Sequence, residues 1–403
     1  MKRIVILFFV VCTALGTLTG NACTSVIVSG KITPDGRPMI FKHRDASTGM
    51  RNLPILIQGE RYRYMGLVNA RDLGKKNVWG GHNEMGFAII NTAAYNLNGP
   101  EGADSNGDGA LMKRALEICA TLMDFESLLD TLPIPRDLNS NFGVMDAEGG
   151  CAYYETGNEH YVKFDANDPQ VAPKGYLTRT NFGMTGAETL HKGAERYAAI
   201  TTFMETAERN GNIRYDYLVT HISRHLTHGL THINLYEVMP ETGSETQMYP
   251  FLDFIPRYTS TATLLIQGVR KGEPAAHTVC WMIAGYPLTT VAMPLAILPS
   301  GKIPAVLRPG ENNCSWLCDR SLVLKERLFC VKESNGHNYI NLSALINKQQ
   351  TGLLQRIMPI EEEVMAKGKE AVEKLRGKKS GEEAMEHFFD WVDRFLPQAY
   401  ERL

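Results

Sequence analysis

The chain has 403 residues, 44% of them hydrophobic, 21% charged and 9% aromatic, with 36 Gly and 19 Pro. These figures exclude a disordered chain, a collagen-like repeat and a small disulfide-stapled scaffold, and they supply enough apolar surface for a full core. A formal net charge of -2 with a pI ≈ 6.6 argues against non-specific binding to nucleic acid or to an anionic membrane.

The chain opens as a leader. Lys2 and Arg3 give a positive start, residues 4–15 are apolar apart from Thr13, and residues 16–22 turn small and polar. The apolar run is too short for a comfortable membrane span. Gly20 and Ala22 occupy the small-residue positions before a cleavage point. The pattern predicts a secretory signal peptide over residues 1–22, cut after Ala22, and an exported protein (periplasmic or extracellular) that begins at Cys23. The competing reading is a lipid-bearing Cys23. Lipoprotein processing wants a large aliphatic residue three places earlier, where Gly20 stands.

Residues 23–29, Cys-Thr-Ser-Val-Ile-Val-Ser, are rich in β-branched side chains and predict a buried strand. Thr33-Pro34-Asp35-Gly36 is a turn signal, with a returning strand over 37–43. With the tip at 34–36, position 23 faces about 46–48, so Arg44 and Asp45 lie a residue or two away. A turn is expected at 80–86, a strand at 87–92 and a Gly/Asp/Asn loop at 99–109. Asp108 is placed to cap one helix and Asp124 a second, ending near Leu132. Strands are expected at 142–146, 151–156, 160–164 and 175–182, then helix over 193–225. Further strands follow at 259–267, 278–284 and 289–298. A charged helical tail begins at about 316, with Pro359 as an interruption. This order predicts an α+β fold of two antiparallel sheets flanked by helices, in one domain spanning 23–403 with a helical C-terminal extension.

A thiol on the first residue has a specific chemistry. Its pKa is about 8.5 and it becomes a strong nucleophile once a base takes its proton. The α-amine of the same residue, with a pKa of about 7.7–8.0, can be that base and can return the proton to a leaving amine. No His is required. Arg44 is the candidate cation beside the thiol, Asp45 the carboxylate that orients it and the amine, and Asn91 and Asn181, at strand ends, are candidate oxyanion donors.

Several segments carry a resemblance. They are the Cys-Thr-Ser start, His43-Arg44-Asp45, Gly81-His82-Asn83-Glu84-Met85-Gly86-Phe87, the stretch from Asn141 to Gly150, Tyr154-Glu155-Thr156-Gly157 and Arg179-Thr180-Asn181-Phe182. In order and type they resemble the N-terminal-nucleophile (Ntn) hydrolases that use Cys. Within these the chain is most similar to the acyl-CoA:6-aminopenicillanate acyltransferase and carcinine hydrolase group, and more distantly to choloylglycine hydrolases and acid ceramidase. The resemblance spans about residues 23 to 300. It implies a four-layer αββα sandwich without metal or organic cofactor, with Cys23 as nucleophile and its amine as base. Arg44 and Asp45 match the Arg and Asp beside the nucleophile, Asn91 and Asn181 the oxyanion and substrate-orienting Asn, and Arg257 a late Arg near the nucleophile. Two departures stand out: Arg44 and Asp45 adjoin where relatives separate them, and there is no internal propeptide.

The expected activity is cleavage of a linear amide of a small molecule through a thioester acyl-enzyme. Acyl transfer follows if an amine or thiol outcompetes water. Neither nucleic acid nor stable membrane insertion after leader removal is expected, and homo-oligomer formation is left open. Two rivals stand beside this reading: a lipid-anchored ligand-binding protein, and a zinc hydrolase built on His221, His225, His228 and His232. Gly229 interrupts that cluster and no His-Glu-x-x-His pattern accompanies it. The 104–109 stretch lacks the Glu that a calcium loop carries at its twelfth place. Six further Cys outside the leader either pair as disulfides or stay buried and free.

Overall fold

Strands β1 (Cys23–Val28) and β2 (Met39–Asp45) pair antiparallel, and every residue of both is buried. The register puts Cys23 opposite Arg44. That is two to four positions earlier than the turn at 34–36 implies. The connection runs from Ser29 to Pro38 and centres between Thr33 and Pro34, so the hairpin folds back sooner. The computed structural model describes residues 22–99, 107–189, 191–310, 312–377 and 381–403. Residues 1–21 of the expected leader, and residues 104–106 of the calcium-like stretch, lie outside the described residues.

Next come β3 (Asn52–Gln58), β4 (Arg63–Asn69), β5 (Gly80–Asn83) and β6 (Ala88–Ala93). The sequence reading did not anticipate β3 and β4. Pro54 speaks against a strand interior, yet β3 is a sheet edge, where a missing N–H is tolerated. Half of the expected 80–86 turn is strand β5. Gly81 permits this: a Cβ there would sit 2.1 Å from the Met65 carbonyl oxygen across the ladder. The turn itself ends at Gly86, at φ 78.

Helices α1 (Asp108–Ile118) and α2 (Leu122–Thr131) follow. Neither is capped as expected. Gly107 is the N-cap of α1, and Asp108 instead accepts hydrogen bonds from Asn91 and Ser140. Thr121 caps α2, with Asp124 as the reciprocal third residue of a capping box. A meander of β7 (Ser140–Met145), β8 (Cys151–Thr156) and β9 (Tyr161–Asp165) leads to β10 (Tyr176–Arg179). The helical stretch divides into α3 (Ala194–Arg209) and α4 (Tyr215–Ile222), with Gly211 at φ 66 between them. A short β11 (Met248–Pro250) precedes β12 (Ser260–Gln267), β13 (Val279–Ala284) and β14 (Ala292–Leu295). The C-terminal part contains α5 (Trp316–Leu328), β15 (Tyr339–Asn341), α6 (Leu342–Leu345), α7 (Leu353–Leu375) and α8 (Gly381–Tyr400). Helix α7 runs through Pro359 without the expected break, because packing of its apolar face decides its course.

Two antiparallel sheets result. One has the order β10-β1-β2-β12-β13-β14, the other β3-β4-β5-β6-β7-β8-β9, and β11 pairs with β15 apart from both. The sheets pack face to face, β1 and β2 lying on β6, β7 and β8. Helix α1 covers β4, β5 and β6 on one outer face, while α3, α4 and α7 cover β1, β10, β12 and β14 on the other. This is the αββα order that the resemblance implies. Under α2, Phe125 sits at the centre of an aromatic group, 6.3 Å from Phe87, 6.0 Å from Phe142 and 5.2 Å from Tyr154.

One strand residue is buried at a cost. His82 on β5 is 1% exposed, and among the described residues neither ring nitrogen has a hydrogen-bond partner. Burial pushes it down to about 4 from its ordinary 6.5, so the native state holds it neutral. Below about 6.5 the unfolded chain takes up a proton that the native chain refuses, and stability falls until about pH 4. His82→Leu is expected to raise stability by about 1–3 kcal/mol at pH 7, by removing unsatisfied polar atoms. It should also flatten the loss between pH 6.5 and 5. Urea denaturation at both pH values measures this, and a destabilised variant would show that the imidazole is satisfied in the fold.

Candidate active site

Side chains alternate along a strand, so β1 and β2 present two sets. Ser25 and Lys42 face the opposing sheet: the Ser25 hydroxyl lies 2.7 Å from Tyr153 OH, and Lys42 Nζ donates to the Trp79 carbonyl at 2.7 Å and to Asn91 Oδ1 at 2.5 Å. Cys23 and Arg44 share that face by alternation. Thr24, His43 and Asp45 face the helices. Arg196 of α3 donates to Thr24 Oγ1 at 3.0 Å.

Cys23 is 6% exposed. Its nitrogen donates to Asn181 Oδ1 at 3.0 Å, its carbonyl oxygen accepts from Arg196 at 2.6 Å, and its sulfur lies 4.0 Å from the Asp45 carbonyl oxygen. Arg196 also donates to Asn181 Oδ1 at 2.7 Å, and Asn181 Nδ2 donates to the Ala93 carbonyl. The loop carrying Asn181 is fixed from the second sheet. Asn141 Nδ2 donates to the carbonyls of Thr180 and Phe182, and Arg179 pairs with Glu155 at 2.8 Å in full burial. Glu155 also accepts from the backbone N–H groups of Met184 and Thr185.

Three buried cations gather here: Lys42, Arg44 and Arg196. Among the described residues none forms an ion pair with a carboxylate. The Arg44 guanidinium donates to Asn52 Oδ1 at 2.5 Å, Asn69 Oδ1 at 2.7 Å and Thr261 Oγ1 at 3.1 Å, and lies 5.2 Å from the Trp79 ring centroid. Burial pushes Lys42 down to about 8, and Cys23 is the strongest influence in the other direction. Arg44 is lowered to about 10 by burial, again opposed most by Cys23. Arg196 is lowered to about 10 by burial and then by Arg257, opposed by Asp45 and Cys23.

On the helix side, Asp45 accepts from Arg257 Nε at 2.9 Å and from the Ser260 hydroxyl at 2.6 Å. Ser260 Oγ accepts from the Arg257 backbone N–H and lies 2.8 Å from His43 Nε2. The single Ser260 proton is on Asp45, so His43 donates through Nε2, and its Nδ1 accepts from Thr263 Oγ1 at 3.2 Å. Burial lowers His43 to about 4, which keeps the ring neutral.

Cys23, Arg44 and Asn181 thus adjoin directly. Asp45 and Arg257 form a pair behind them, and Asp45 serves Arg257 rather than Arg44. Asn91 faces elsewhere: its amide donates to Asp108 and Ser140 at 3.1 Å each, and its oxygen holds Lys42. The sequence reading missed Lys42, Arg196 and Ser260. Lys42 had a signal, since it lies two residues from Arg44 and so on the same strand face; Arg196, on a helix far along the chain, had none. A cavity of ≈ 330 Å³ opens at Ala22, the residue before Cys23, bordered also by Cys23's partners Asn181 and Arg196 and by Arg257.

Elsewhere, α4 ends at Ile222, so His225, His228 and His232 follow the helix rather than sharing its face. With His221 they border a separate cavity of ≈ 420 Å³. Among the described residues no group of three His, Cys, Asp or Glu could hold a metal ion. The seven described Cys are all free, six of them buried. No described helix is long and apolar enough to cross a membrane.

No family model matches the chain, and no curated protein matches it in sequence. Among solved structures it is similar to a variant of the conjugated bile acid hydrolase from Clostridium perfringens, at 12% identity and a TM-score of 0.40, over 68% of this chain and 92% of that one. It is similar to the Caenorhabditis elegans ortholog of N-acylethanolamine-hydrolyzing acid amidase, at 15% identity and a TM-score of 0.35, over 49% and 86% of the two chains. A third is penicillin V acylase from Agrobacterium tumefaciens, at 12% identity and a TM-score of 0.33, over 68% and 86%.

Proposed function

We propose that the protein is an exported amidohydrolase that cleaves a linear amide through a thioester on Cys23. The observation that carries this reading is the coincidence at one residue of a sulfur among three unpaired buried cations and a nitrogen docked on Asn181 Oδ1. Cleavage after Ala22 turns that nitrogen into an α-amine. The amine takes the thiol proton, the sulfur attacks the substrate carbonyl, and the negative charge on sulfur and oxygen develops in the field of Lys42 and Arg44. The amine then passes the proton to the departing amine as the C–N bond breaks. Water attacks the thioester as the α-amine takes its proton, the C–S bond breaks to release the acid, and the amine returns the proton to the sulfur, restoring the thiol. Arg196 fixes the Cys23 carbonyl and Asn181 together, and Asp45 holds Arg257 at the cavity wall.

Cys23→Ala is expected to remove all turnover of an amide panel while leaving the circular dichroism spectrum and melting temperature near those of the parent. Mass spectrometry of the parent should show an acyl adduct on Cys23 during turnover. Full activity of the variant would refute the reading.

The pH profile tests the cation field. The α-amine must be neutral to act, so kcat/KM rises with pH through about 7.7–8.0. Lys42, lowered to about 8, loses its proton over the same range, and kcat/KM falls above it. A narrow maximum near pH 8 is expected. Lys42→Arg keeps its charge, so its falling limb should move up by at least one pH unit. An unchanged falling limb would remove Lys42 from the mechanism.

A further inference from the structure

The cavity beside Cys23 carries more positive than negative charge. Lys192, Arg196 and Arg257 border it, against the single carboxylate of Asp253. Two of the cations are occupied. Arg196 holds the Cys23 carbonyl, Thr24 and Asn181, and Arg257 holds Asp45 at 2.9 Å with Asp253 at 3.7 Å. Lys192 is not. Its side chain is exposed at the rim, its Nζ rests 4.2 Å from the Tyr95 ring centroid, and among the described residues it forms no ion pair. It stands just before Gly193, the N-cap of α3, while Arg196 lies in the first turn of that helix.

The start of α3 adds to this. Its N-cap is Gly193, which borders the cavity and offers no side-chain oxygen to the first N–H groups of a 16-residue helix. Such an end favours negative charge. The remaining walls include Tyr95, Phe251 and Tyr258, which offer aromatic surface. A ligand that satisfies both has an apolar or aromatic body and an anionic group. A cationic amine would meet uncompensated positive charge.

We propose that the site selects linear amides bearing a carboxylate, and that Lys192 is the residue that reads it. This rests on the amidohydrolase reading of the same cavity, and the experiment separates the two. N-phenylacetyl-phenylalanine and its methyl ester differ by one charge on the amine side; glutaric acid monoanilide and its methyl ester differ by one charge on the acyl side. Binding of all four to the Cys23→Ala protein is measured by calorimetry, alongside their turnover by the parent. In at least one pair the acid should bind about fivefold more tightly than its ester. That preference should disappear in Lys192→Met, reverse in Lys192→Glu and shrink at high salt. The pair that shows it tells which half of the substrate carries the carboxylate.

Equal binding of acid and ester in both pairs overturns the proposal, as does a preference that survives Lys192→Glu. Turnover of acids and esters alike, with no binding preference, overturns it while the hydrolase reading stands. Preferential binding of an acid with no turnover upholds it and overturns the hydrolase reading instead.

Discussion

Three cations are buried around one cysteine, and among the described residues none of them forms an ion pair with a carboxylate. The cost of burying an ion is several kcal/mol even after relaxation, and a fold keeps such groups only where something offsets it. For Arg44 the offset is three neutral oxygens and an aromatic ring. For Lys42 it is two oxygens, one of them a backbone carbonyl. These contacts orient the cations but leave their charge in place. In the proposed reaction, negative charge developing on Cys23 or on a carbonyl oxygen next to it would meet a field already aimed.

The sandwich is what makes this arrangement affordable. Lys42 reaches across the inter-sheet space to Asn91 on β6 and to the chain just before β5, so its ammonium is tied to the opposite sheet. Asn91 is in turn fixed by Asp108 at the start of α1, which places one carboxylate behind an amide rather than against the ammonium. Asn181 is held from the second sheet through Asn141, and its strand through the Arg179–Glu155 pair. Three of the motif residues, Asn141, Glu155 and Arg179, thus brace the loop that carries Asn181.

What sequence could and could not tell follows from these facts. The β-hairpin was legible because Thr33-Pro34-Asp35-Gly36 is a strong turn signal between β-branched runs, and it brought Arg44 to Cys23 although the register slipped. Asp45 was expected to orient Arg44 and the amine, an expectation that strand alternation overturns for Arg44. Neighbours on a strand point to opposite faces, so the two could not both address the thiol. Lys42 was passed over because a lysine in a strand is ordinarily solvated, and only an opposing sheet buries it. Arg196 belongs to a helix and lies 173 residues from Cys23, and no local pattern announces such a contact. Pro54 hid a strand because edge position is a property of the sheet, not of the segment.

The nitrogen of Cys23 is already on Asn181 while Ala22 is still attached to it. In that state it is a peptide nitrogen, which donates one hydrogen bond and has no basic lone pair. Cations, sulfur, Asn181 and cavity are all in place, and only a proton acceptor is missing. Removal of Ala22, as the proposed function requires, would supply one at the border of the cavity that Ala22 lines. In the proposed function, cleavage would turn that peptide nitrogen into an α-amine, which is a chemical change at one atom.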